Sequence, residues 1–483
     1  MKALVIAAGR GSGFNGQAPR SHKTLVPVWG LTVIERVLAA FPELEELVVV
    51  TGFQAGLLEN RLSKILSGRV KLTFVRNPEW QRANGVSVLA AKEILKNERA
   101  FLLTMSDHVF ERSLVEKLTA APPASGECLL AVDRNLPEVY DLADATKVKR
   151  GADNRIRAIG KQLEDFDAVD TGVFYCTPAL FEALELAIAL GGESLSDGIR
   201  ILCNAGKMRY REVSGSLWQD VDNLESLAEA KKRVWRATQK PRDGVVSRLL
   251  NRRISGFITR RICGLPVRPN QVTIFNLLLA GLAGWLMFAG HLVWGGLLAQ
   301  LYSVLDGVDG ELSRLKHQGS WFGSWLDNLT DRLCDWLIIC GAAWSVTWTG
   351  VGTRTAWGLL LAALLSNIAY RSSMDSLLVS GSLRQAGESP DRLASIEKWF
   401  YEREMVFGVT HDSYLLLLAL VVAFGAPLAG LTALVALETL WWIAKTVQAG
   451  KTRPSDSYAE FLAAETGEKI NEKKYRIAEL AAR

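Results

Sequence analysis

The sequence predicts two domains of different fold classes, an α/β domain followed by an all-α domain of six transmembrane helices. In the first half, short apolar runs such as V-V-V-T-G at 48–52 alternate with polar helical stretches, which is typical of a sheet flanked by helices. From about residue 270 to 448 the chain consists mainly of Leu, Ala, Val, Trp and Gly. We therefore expect an α/β domain at 1–235, a linker at 236–265, a membrane domain at 266–450 and a tail at 451–483.

Six hydrophobic segments follow one another in the second half. Each is long enough for the ~20 residues that a spanning helix needs. The fifth contains His411 and Asp412 close to its start and is therefore the weakest of the six. The expected spans are 271–289, 292–312, 322–347, 355–380, 406–425 and 427–446.

The linker carries basic residues among apolar ones, in the stretch R-L-L-N-R-R-I-S-G-F-I-T-R-R-I that begins at Arg248. This pattern predicts an amphipathic helix lying on an anionic membrane leaflet, with an ordinary solvated linker as the alternative. Basic loops that fall on one side of the predicted bundle place both termini and the tail in the cytoplasm. We therefore expect a multi-pass protein of the cytoplasmic membrane that contacts membrane lipids.

Composition narrows the function classes. The net charge of +5 is too small and too dispersed for nucleic-acid binding, and no nucleic-acid motif is present. The six cysteines are scattered, without the spacing of a metal site or of a disulfide framework, which indicates a reducing compartment.

Four aspartates stand inside the apolar half, where unpaired charge is costly. Asp306 and Asp309 belong to D-G-V-D-G-E-L-S-R, and Asp327 and Asp331 belong to G-S-W-L-D-N-L-T-D. Residues three or four apart share one face of a helix, so each pair presents two carboxylates together. Four converging carboxylates repel one another unless a cation neutralises them, and ligands made only of oxygen favour Mg²⁺, Mn²⁺ or Ca²⁺ over zinc. Surface aspartates at two helix ends are the alternative.

These residues resemble the signature of the CDP-alcohol phosphotransferase family, D-x2-D-G-x2-A-R-x8-G-x3-D-x3-D. Every aspartate matches, and so do Gly310, Gly323 and Arg314, while Ser313 stands where the family has alanine. The resemblance implies a six-helix enzyme that transfers a phosphoalcohol from a CDP-linked donor to an acceptor hydroxyl and releases CMP. It also implies that Asp306, Asp309 and Asp327 hold metal and that Asp331 is the general base. As the fourth carboxylate of the same site, Asp331 is expected among the metal ligands as well.

The entry to the first span reads L-P-V-R-P-N-Q-V-T. We expect Asn270 to cap the helix, with a contact to cytidine as the alternative role. The P-N-x-x-T pattern also occurs in the phosphotransferase family near its nucleotide pocket. The nucleotide and phosphoalcohol contacts expected in this half are Asn270, Gly310, Ser313, Arg314 and Gly323.

The first half opens with A-L-V-I-A-A-G-R-G-S-G, a buried strand that runs into a glycine-rich turn. Gly9 and Gly11 in this turn let backbone N–H groups approach a phosphate chain, although such loops are common. Lys23 follows and is placed to neutralise triphosphate charge. Asp107 falls at the carboxyl end of the strand F-L-L-T-M-S-D, where α/β sheets bind ligands.

This half resembles the Rossmann-like nucleotidyltransferases, and more narrowly the inositol-1-phosphate cytidylyltransferases. The resemblance rests on N-G-V-S, M-S-D-H, D-A-T-K-V-K, I-G-K, A-V-D-T-G-V-F and W-Q-D-V-D, spread over residues 84–222. It implies that Asp107 and Asp222 hold a divalent cation, with Asp220 as the alternative to Asp222. It further implies that Asn84, Gly85 and Ser87 contact the cytosine and ribose. Lys149 and Lys161 are then the expected anchors for the phosphoalcohol.

One departure from that family lies in the glycine-rich loop. Gly13 stands where a basic or hydroxyl residue is usual, so either Arg10 or Arg20 substitutes for it or CTP binding is weakened. The departure keeps open a catalytically silent, regulatory first domain.

Together the halves resemble the family of bifunctional inositol-1-phosphate cytidylyltransferases and di-myo-inositol phosphate phosphate synthases. The resemblance implies that CTP and inositol 1-phosphate give CDP-inositol, whose phosphoinositol group then passes to an acceptor, nominally inositol phosphate. It implies Mg²⁺ or Mn²⁺ as cofactor and a homodimer. The family's solute is associated with heat-loving organisms, whereas 22% charged residues and fifteen tryptophans are not typical of a hyperthermophile. A phospholipid synthase with a lipid alcohol acceptor is therefore the alternative.

Overall fold

A computed structural model describes residues 1–11, 22–66, 68, 70–240, 243–379, 405–406 and 409–449, with side chains omitted at 374–379, 405–406 and 448–449. The chain divides into two compact units, Met1–Thr238 and Gln239–Arg483. Gly13, Arg20 and the predicted tail 451–483 lie outside the described residues.

The first unit is built on a mixed sheet, of which the described residues supply nine strands. Its path runs β10-β9-β11-β6-β1-β4-β5, with β8 pairing β11 and β12 pairing β8. Strands β4, β1 and β6 are parallel neighbours, whereas β11 is antiparallel to β6 and β8. The nine strands are β1 (Lys2–Ala7), β4 (Glu46–Thr51), β5 (Lys71–Arg76), β6 (Phe101–Met105), β8 (Cys128–Asp133), β9 (Lys147–Arg150), β10 (Ile156–Gly160), β11 (Ala168–Cys176) and β12 (Met208–Glu212).

Two short antiparallel strand pairs and eight α-helices also belong to the described part of this unit. The pairs are the hairpin of β2 (Pro27–Val28) with β3 (Leu31–Thr32), and β7 (His108–Phe110) with the distant β13 (Trp218–Asp220). The helices are α1 (Val33–Ala40), α2 (Ala55–Leu66), α3 (Asn84–Leu89), α4 (Lys92–Leu95), α5 (Arg112–Thr119), α6 (Ala179–Ala189), α7 (Leu195–Asn204) and α8 (Leu224–Thr238).

Alternate residues of β1 enter different hydrophobic cores. Leu4 and Ile6 pack in one cluster with α6 and α7, whereas Ala3 and Val5 pack in another with α1, α2 and α5. Successive side chains of a strand point to opposite faces, so the central sheet is buried on both sides. This burial fixes the strand ends that carry the predicted site residues.

The second unit is helical. The linker residues Asp243–Gly244 form β14, which pairs with β15 (Met405–Val406), and a π-helical turn at Ser247–Asn251 precedes α9. The helices are α9 (Arg252–Ile262), α10 (Pro269–Phe288), α11 (Leu292–Lys316), α12 (Trp321–Ser345), α13 (Thr353–Val379), α14 (His411–Ala423) and α15 (Pro427–Ala449).

Each of the six predicted spans overlaps one helix from α10 to α15. The fifth is the shortest, because α14 begins at His411 and has 13 residues. By length and apolarity, two helices among the described residues are able to cross a membrane, Pro269–Phe288 and Pro427–Val447. A helical second unit is thus observed, whereas the number of spans stays a prediction.

The predicted amphipathic segment forms α9, and its small polar face is buried. Ser255 and Thr259 donate hydrogen bonds to the buried carboxylate of Glu311 on α11, at 2.9 and 2.7 Å. Leu249, Ile254 and Phe257 are exposed. The helix therefore fixes itself to the bundle by polar contacts and leaves apolar side chains free.

The expectation that Asn270 caps the first span is wrong. Pro269 occupies the first position of α10, so Asn270 lies inside the first turn, and the Arg268 N–H donates to Gln271 Oε1 at 2.9 Å. Proline suits that position because its missing N–H has no partner in a helix anyway. Asn270 is thereby left for a different role.

Helices α10 and α12 pack through backbone at a pair of glycines. A Cβ on Gly341 would lie 2.1 Å from the carbonyl oxygen of Gly284, and a Cβ on Gly284 would lie 2.3 Å from that of Leu337. Small residues of this kind allow two membrane helices to approach closely. The crossing holds α12, with Asp327 and Asp331, against α10.

We expect Gly341→Ala to destabilise the second unit by about 1–3 kcal/mol, because the new methyl group has no space. The matched control is Gly281→Ala on α10, where the nearest atom would be 3.8 Å away and the higher helix propensity of alanine applies. Thermal unfolding of the full chain in detergent measures both variants. Equal melting temperatures would contradict the close crossing.

Candidate active sites

Lys23 lies between two predicted metal ligands in the first unit. Its ammonium contacts Asp107 Oδ2 at 2.8 Å and forms a second, short ion pair with Asp222. Asp107 follows β6, and Asp222 follows β13, so the ends of two strands deliver the carboxylates. The structure thereby brings together three of the residues predicted from the sequence. Asp220, the alternative ligand, instead accepts a hydrogen bond from Gln219 Nε2 at 2.8 Å.

Charge in this site is strongly coupled. Burial raises the pKa of Asp107, but the Lys23 and His108 charges outweigh burial and hold that pKa well below its usual range. Burial lowers the pKa of His108, but its hydrogen bond to Asp107 and the nearby carboxylates raise it to about 9. At neutral pH the site therefore holds an ionised Asp107 beside the cationic Lys23 and His108, an arrangement suited to charged phosphates.

A cavity of about 170 Å³ opens beside these residues. It is lined by carboxylates, by Lys161 and by aromatic side chains, and the carboxylates offer hydrogen-bond acceptors to a ligand with hydroxyl groups. Among the predicted residues it contains Asn84, Lys161, Asp220 and Asp222.

The N-G-V-S residues divide between the cavity and the packing around it. Asn84 lines the cavity and accepts from the Leu195 N–H at 2.8 Å. Ser87 is buried and accepts from Asn77 Nδ2 at 3.0 Å. A Cβ on Gly85 would lie 2.6 Å from the Glu193 carbonyl oxygen. Gly85 and Ser87 thus hold α3 in place, and Asn84 is the member that faces the cavity.

The two predicted lysine anchors are both ion-paired. Lys161 lines the cavity and contacts Asp144 at 2.8 Å, whereas Lys149 contacts Asp165 at 2.5 Å and does not line it. Lys161 is therefore the better placed of the two to meet a phosphoalcohol.

The sequence alone assigns no individual role to the residues of A-V-D-T-G-V-F at 168–174. Asp170 lines the cavity and accepts from the Gly172 N–H at 2.7 Å, and burial raises the pKa of Asp170 to about 6. Gly172 has a φ of +76°, and a Cβ there would lie 2.2 Å from His108 Nε2. The missed signal is a D-x-G turn within a strand, where glycine permits a close approach.

The glycine-rich turn approaches Lys23 directly. Gly11 has a φ of +69°, and a Cβ there would lie 2.5 Å from Lys23 Cδ. Gly9 has no atom within 4 Å of such a Cβ, so space remains above it. Arg10 lies over the Phe53 ring at 5.7 Å.

In the second unit, three of the four predicted aspartates converge. Oxygen atoms of Asp306, Asp327 and Asp331 all lie within 4.8 Å of one another. Asp306 comes from α11 and the other two from α12. The predicted (i, i+4) pair on α12 therefore meets α11 as the spacing indicated.

Asp309 is held by protein groups instead. Its Oδ2 accepts from Thr273 Oγ1 at 2.7 Å and its Oδ1 accepts from the Gly310 N–H at 2.6 Å. The side chain is buried next to the cluster. The structure thus groups Asp331 with Asp306 and Asp327, whereas the resemblance gives the three metal positions to Asp306, Asp309 and Asp327.

A cavity of about 200 Å³ adjoins this cluster. The first turn of α10, the end of α11 and the start of α12 form its walls. A Cβ on Gly323 would lie 3.1 Å from Asn270 Oδ1, and one on Gly310 would lie 3.2 Å from an Arg314 nitrogen, so both glycines keep the cavity open. The cavity is lined by the predicted residues Asn270, Asp309, Gly310, Ser313, Arg314, Gly323 and Asp327.

The donor set of the cluster fits a hard divalent cation. Three carboxylates from two helices supply only oxygen ligands, and their mutual repulsion is relieved by positive charge between them. Asp306, Asp327 and Asp331 are the residues that would hold such a cation.

A fully buried carboxylate, Asp335, lies one helical turn beyond Asp331. Asp335 accepts from Tyr414 Oη at 2.8 Å, bonds His411 Nε2 at 2.7 Å and pairs with Arg371 at 2.5 Å. Arg371 on α13 and His411 on α14 thus both contact Asp335, which ties α12 to α13 and α14.

Comparisons with known proteins agree with this division. The MobA-like NTP transferase domain matches residues 3–167, and CDP-alcohol phosphatidyltransferase matches residues 266–387. A protein of Rubrobacter xylanophilus named bifunctional IPC transferase and DIPP synthase is 35% identical over 445 residues, covering 90% of this chain and 93% of its own length. The chain belongs to this bifunctional family.

Two other relatives show how the similarity is distributed. A family member from Archaeoglobus fulgidus is 33% identical over 341 residues, covering 70% of this chain and 65% of its own length. A phosphatidylinositol phosphate synthase of Mycobacteroides abscessus is 30% identical over 157 residues, covering 31% of this chain and 70% of its own length. Family members thus match both halves, whereas the synthase matches over less than a third of the chain.

We expect Gly11→Ala to slow nucleotide transfer by about 100-fold, because the methyl group displaces Lys23 and strains a positive φ. Pyrophosphate release from CTP and inositol 1-phosphate by the full chain measures the effect. The control Gly56→Ala lies on α2, where an added Cβ has open space, and is expected to match wild type. A wild-type rate for Gly11→Ala would show that the Lys23 position is not required.

Proposed function

We propose that the first unit makes CDP-inositol from CTP and inositol 1-phosphate, and that the second unit transfers its phosphoinositol group to an acceptor hydroxyl. The acceptor is a second, soluble inositol phosphate. The observation that carries the proposal is the aspartate cluster beside a cavity lined by the signature residues, on the same chain as the Lys23 site. Relatives matched over most of their length bear the bifunctional name, which favours this reading over a silent first domain.

In the first reaction, a phosphate oxygen of inositol 1-phosphate attacks the α-phosphorus of CTP, and the bond to the β-phosphate oxygen breaks to release pyrophosphate. Both partners are anionic, so neutralisation and positioning supply most of the rate enhancement. Lys23 donates positive charge to the phosphates, and backbone N–H groups at Gly9 and Gly11 approach them. Asp107 and Asp222 are the ligands for Mg²⁺ or Mn²⁺.

Asn84 contacts the cytidine, with Gly85 and Ser87 supporting it from behind. Lys161 binds the phosphate of the inositol substrate, and Lys149 is the second candidate. Two alternatives remain for the glycine-rich loop: either Arg10 or Arg20 substitutes for the residue missing at Gly13, or CTP binding is weakened.

In the second reaction, Asp331 removes the proton from the acceptor hydroxyl. The resulting oxygen attacks the phosphorus next to inositol in CDP-inositol, and the pyrophosphate bond breaks to release CMP. Arg314 pairs with the phosphates, while Asn270, Gly310, Ser313 and Gly323 shape the nucleotide cavity. A divalent cation at Asp306, Asp327 and Asp331, with Asp309 next to it, would polarise the phosphoryl oxygens.

We place the six helices α10–α15 across the cytoplasmic membrane, with the first unit and the tail in the cytoplasm. Two apolar helices and the exposed apolar side chains of α9 support contact with lipid. The four other helices carry the aspartates and buried polar contacts, which lower their apolarity. A homodimer completes the proposal.

Two substitutions are expected to separate the activities. Lys23→Met removes the charge between Asp107 and Asp222 and is expected to abolish CDP-inositol synthesis while transfer from supplied CDP-inositol continues. Asp331→Asn removes the base and is expected to slow transfer by about 10²–10⁴-fold while synthesis continues. Pyrophosphate and CMP release measure the two steps. The exposed Lys64 on α2, changed to Met, is the control. Loss of both activities in either variant would contradict two independent sites.

The acceptor is tested by partition of the product. Full-length protein in detergent, given labelled CDP-inositol and inositol 1-phosphate, is expected to form a water-soluble labelled product. The same assay with added lipid alcohol checks the alternative. A product that extracts into organic solvent and needs the lipid would establish a phospholipid synthase.

A further inference from the structure

Asn276 is a buried amide that no part of the proposed chemistry explains. It lies in α10, inside a helix apolar enough to cross a membrane, and only 3% of it is exposed. Neither its Oδ1 nor its Nδ2 has a hydrogen-bond partner among the described residues. An amide buried without partners costs several kcal/mol in an apolar medium, so this residue requires a reason.

Helix contacts place Asn276 at the depth of the aspartate cluster. Thr273 of α10 bonds Asp309 of α11, and a Cβ on Gly295 of α11 would contact Met287 of α10. These two contacts give an antiparallel register. A step of three residues forward along α10, from Thr273 to Asn276, therefore corresponds to a step of three residues backward along α11, from Asp309 to Asp306. Asn276 is therefore level with Asp306 along the helix axes.

The parallel helix α12 gives the same depth. A Cβ on Gly323 would contact Asn270, and one on Gly341 would contact Gly284. Between these two levels, Asn276 falls beside the turn of α12 that contains Thr330 and Asp331. Two independent helix pairs thus assign Asn276 to the layer of Asp306 and Asp331, whose oxygens lie in the cluster.

The chemistry of an amide complements that of the cluster. Carboxylates only accept hydrogen bonds, whereas an asparagine side chain also donates. Magnesium keeps several of its own water molecules when carboxylates bind it. The hydrogens of these waters need acceptors. Residues that hold the outer shell of a metal affect its affinity by about 10–100-fold.

We propose that Asn276 is a positioning residue of the aspartate centre, which holds by hydrogen bonds a water molecule of the divalent cation bound at Asp306, Asp327 and Asp331. The inference rests on the proposed function for the existence of that cation. It assigns a reason for a polar residue in an otherwise apolar stretch of α10. The signal in the sequence is one asparagine within I-F-N-L-L-L-A at 274–280.

The test measures Mn²⁺ affinity of the full chain in detergent, by isothermal titration and by Mn²⁺ paramagnetic resonance. All proteins carry Asp222→Ala, so that the first unit does not contribute. Asn276→Leu is expected to weaken Mn²⁺ binding by about 10–100-fold. Asn276→Asp retains the acceptor oxygen and is expected to bind at least as tightly as the parent.

The matched control is Gln300→Leu on α11. Gln300 Oε1 likewise lacks a partner among the described residues, but the residue lies six positions, or about 9 Å along the helix, from Asp306. Mn²⁺ affinity of this variant is expected to equal that of the parent.

A purely structural amide gives the opposite pattern. Asn276→Leu would then leave Mn²⁺ affinity unchanged and raise the melting temperature without metal, because an unpaired polar group is removed. That outcome overturns the inference. If the parent itself bound no Mn²⁺, or if Asp327→Asn left binding unchanged, the metal centre of the proposed function would fail instead.

Discussion

Mutual repulsion of half-buried carboxylates is the constraint on which the second unit depends. Asp306, Asp327 and Asp331 are held within 4.8 Å by two helices, in a region where charge is poorly solvated. The surrounding structure resists their separation, since α12 is pinned to α10 through glycine backbone and to α13 and α14 through Asp335. The fold thus maintains an arrangement that the carboxylates alone would not adopt, which is typical of a site built for positive charge.

The first unit also brings carboxylates close together, and there the cation between them is a lysine side chain of the protein. Asp107 and Asp222 arrive at the ends of different strands, and Lys23 lies between them. Gly11 makes this possible by leaving space for the lysine stem. In both units, glycine positions close to charged side chains decide whether those side chains can meet.

The sequence predicted the element types well because its patterns are strong. Alternation of strands and helices gave the α/β unit, and aspartate spacing gave the convergence of α11 and α12. The prediction was wrong for Asn270, because asparagine serves both as a helix cap and as a ligand-binding residue. Asn270 suits a cap, yet Pro269 already begins the helix, so tertiary packing sends Asn270 to a cavity. Ser87 accepts a hydrogen bond from Asn77 inside the unit, and its contact with the nucleotide stays a prediction.

Contacts between residues far apart in the chain could not be predicted from the sequence, for a physical reason. Asp335, Arg371 and His411 lie far apart in the chain, and no local spacing relates them. Asp170 and Gly172 required knowledge that β11 passes next to His108. Local periodicity determines which face a residue occupies, whereas the neighbour on that face depends on helix and strand order.

The glycine crossing of α10 and α12 has a mechanical consequence. With a backbone carbonyl in the place of a side chain, neither helix can slide or rotate against the other without a clash. Glycine also brings α11 close to its neighbours, since a Cβ on Gly295 would lie 3.0 Å from the Ala283 carbonyl oxygen of α10 and one on Gly296 would lie 2.4 Å from the Ala419 carbonyl oxygen of α14. Backbone contacts therefore restrain both of the helices that carry Asp306, Asp327 and Asp331, which limits how far the three carboxylates can move apart.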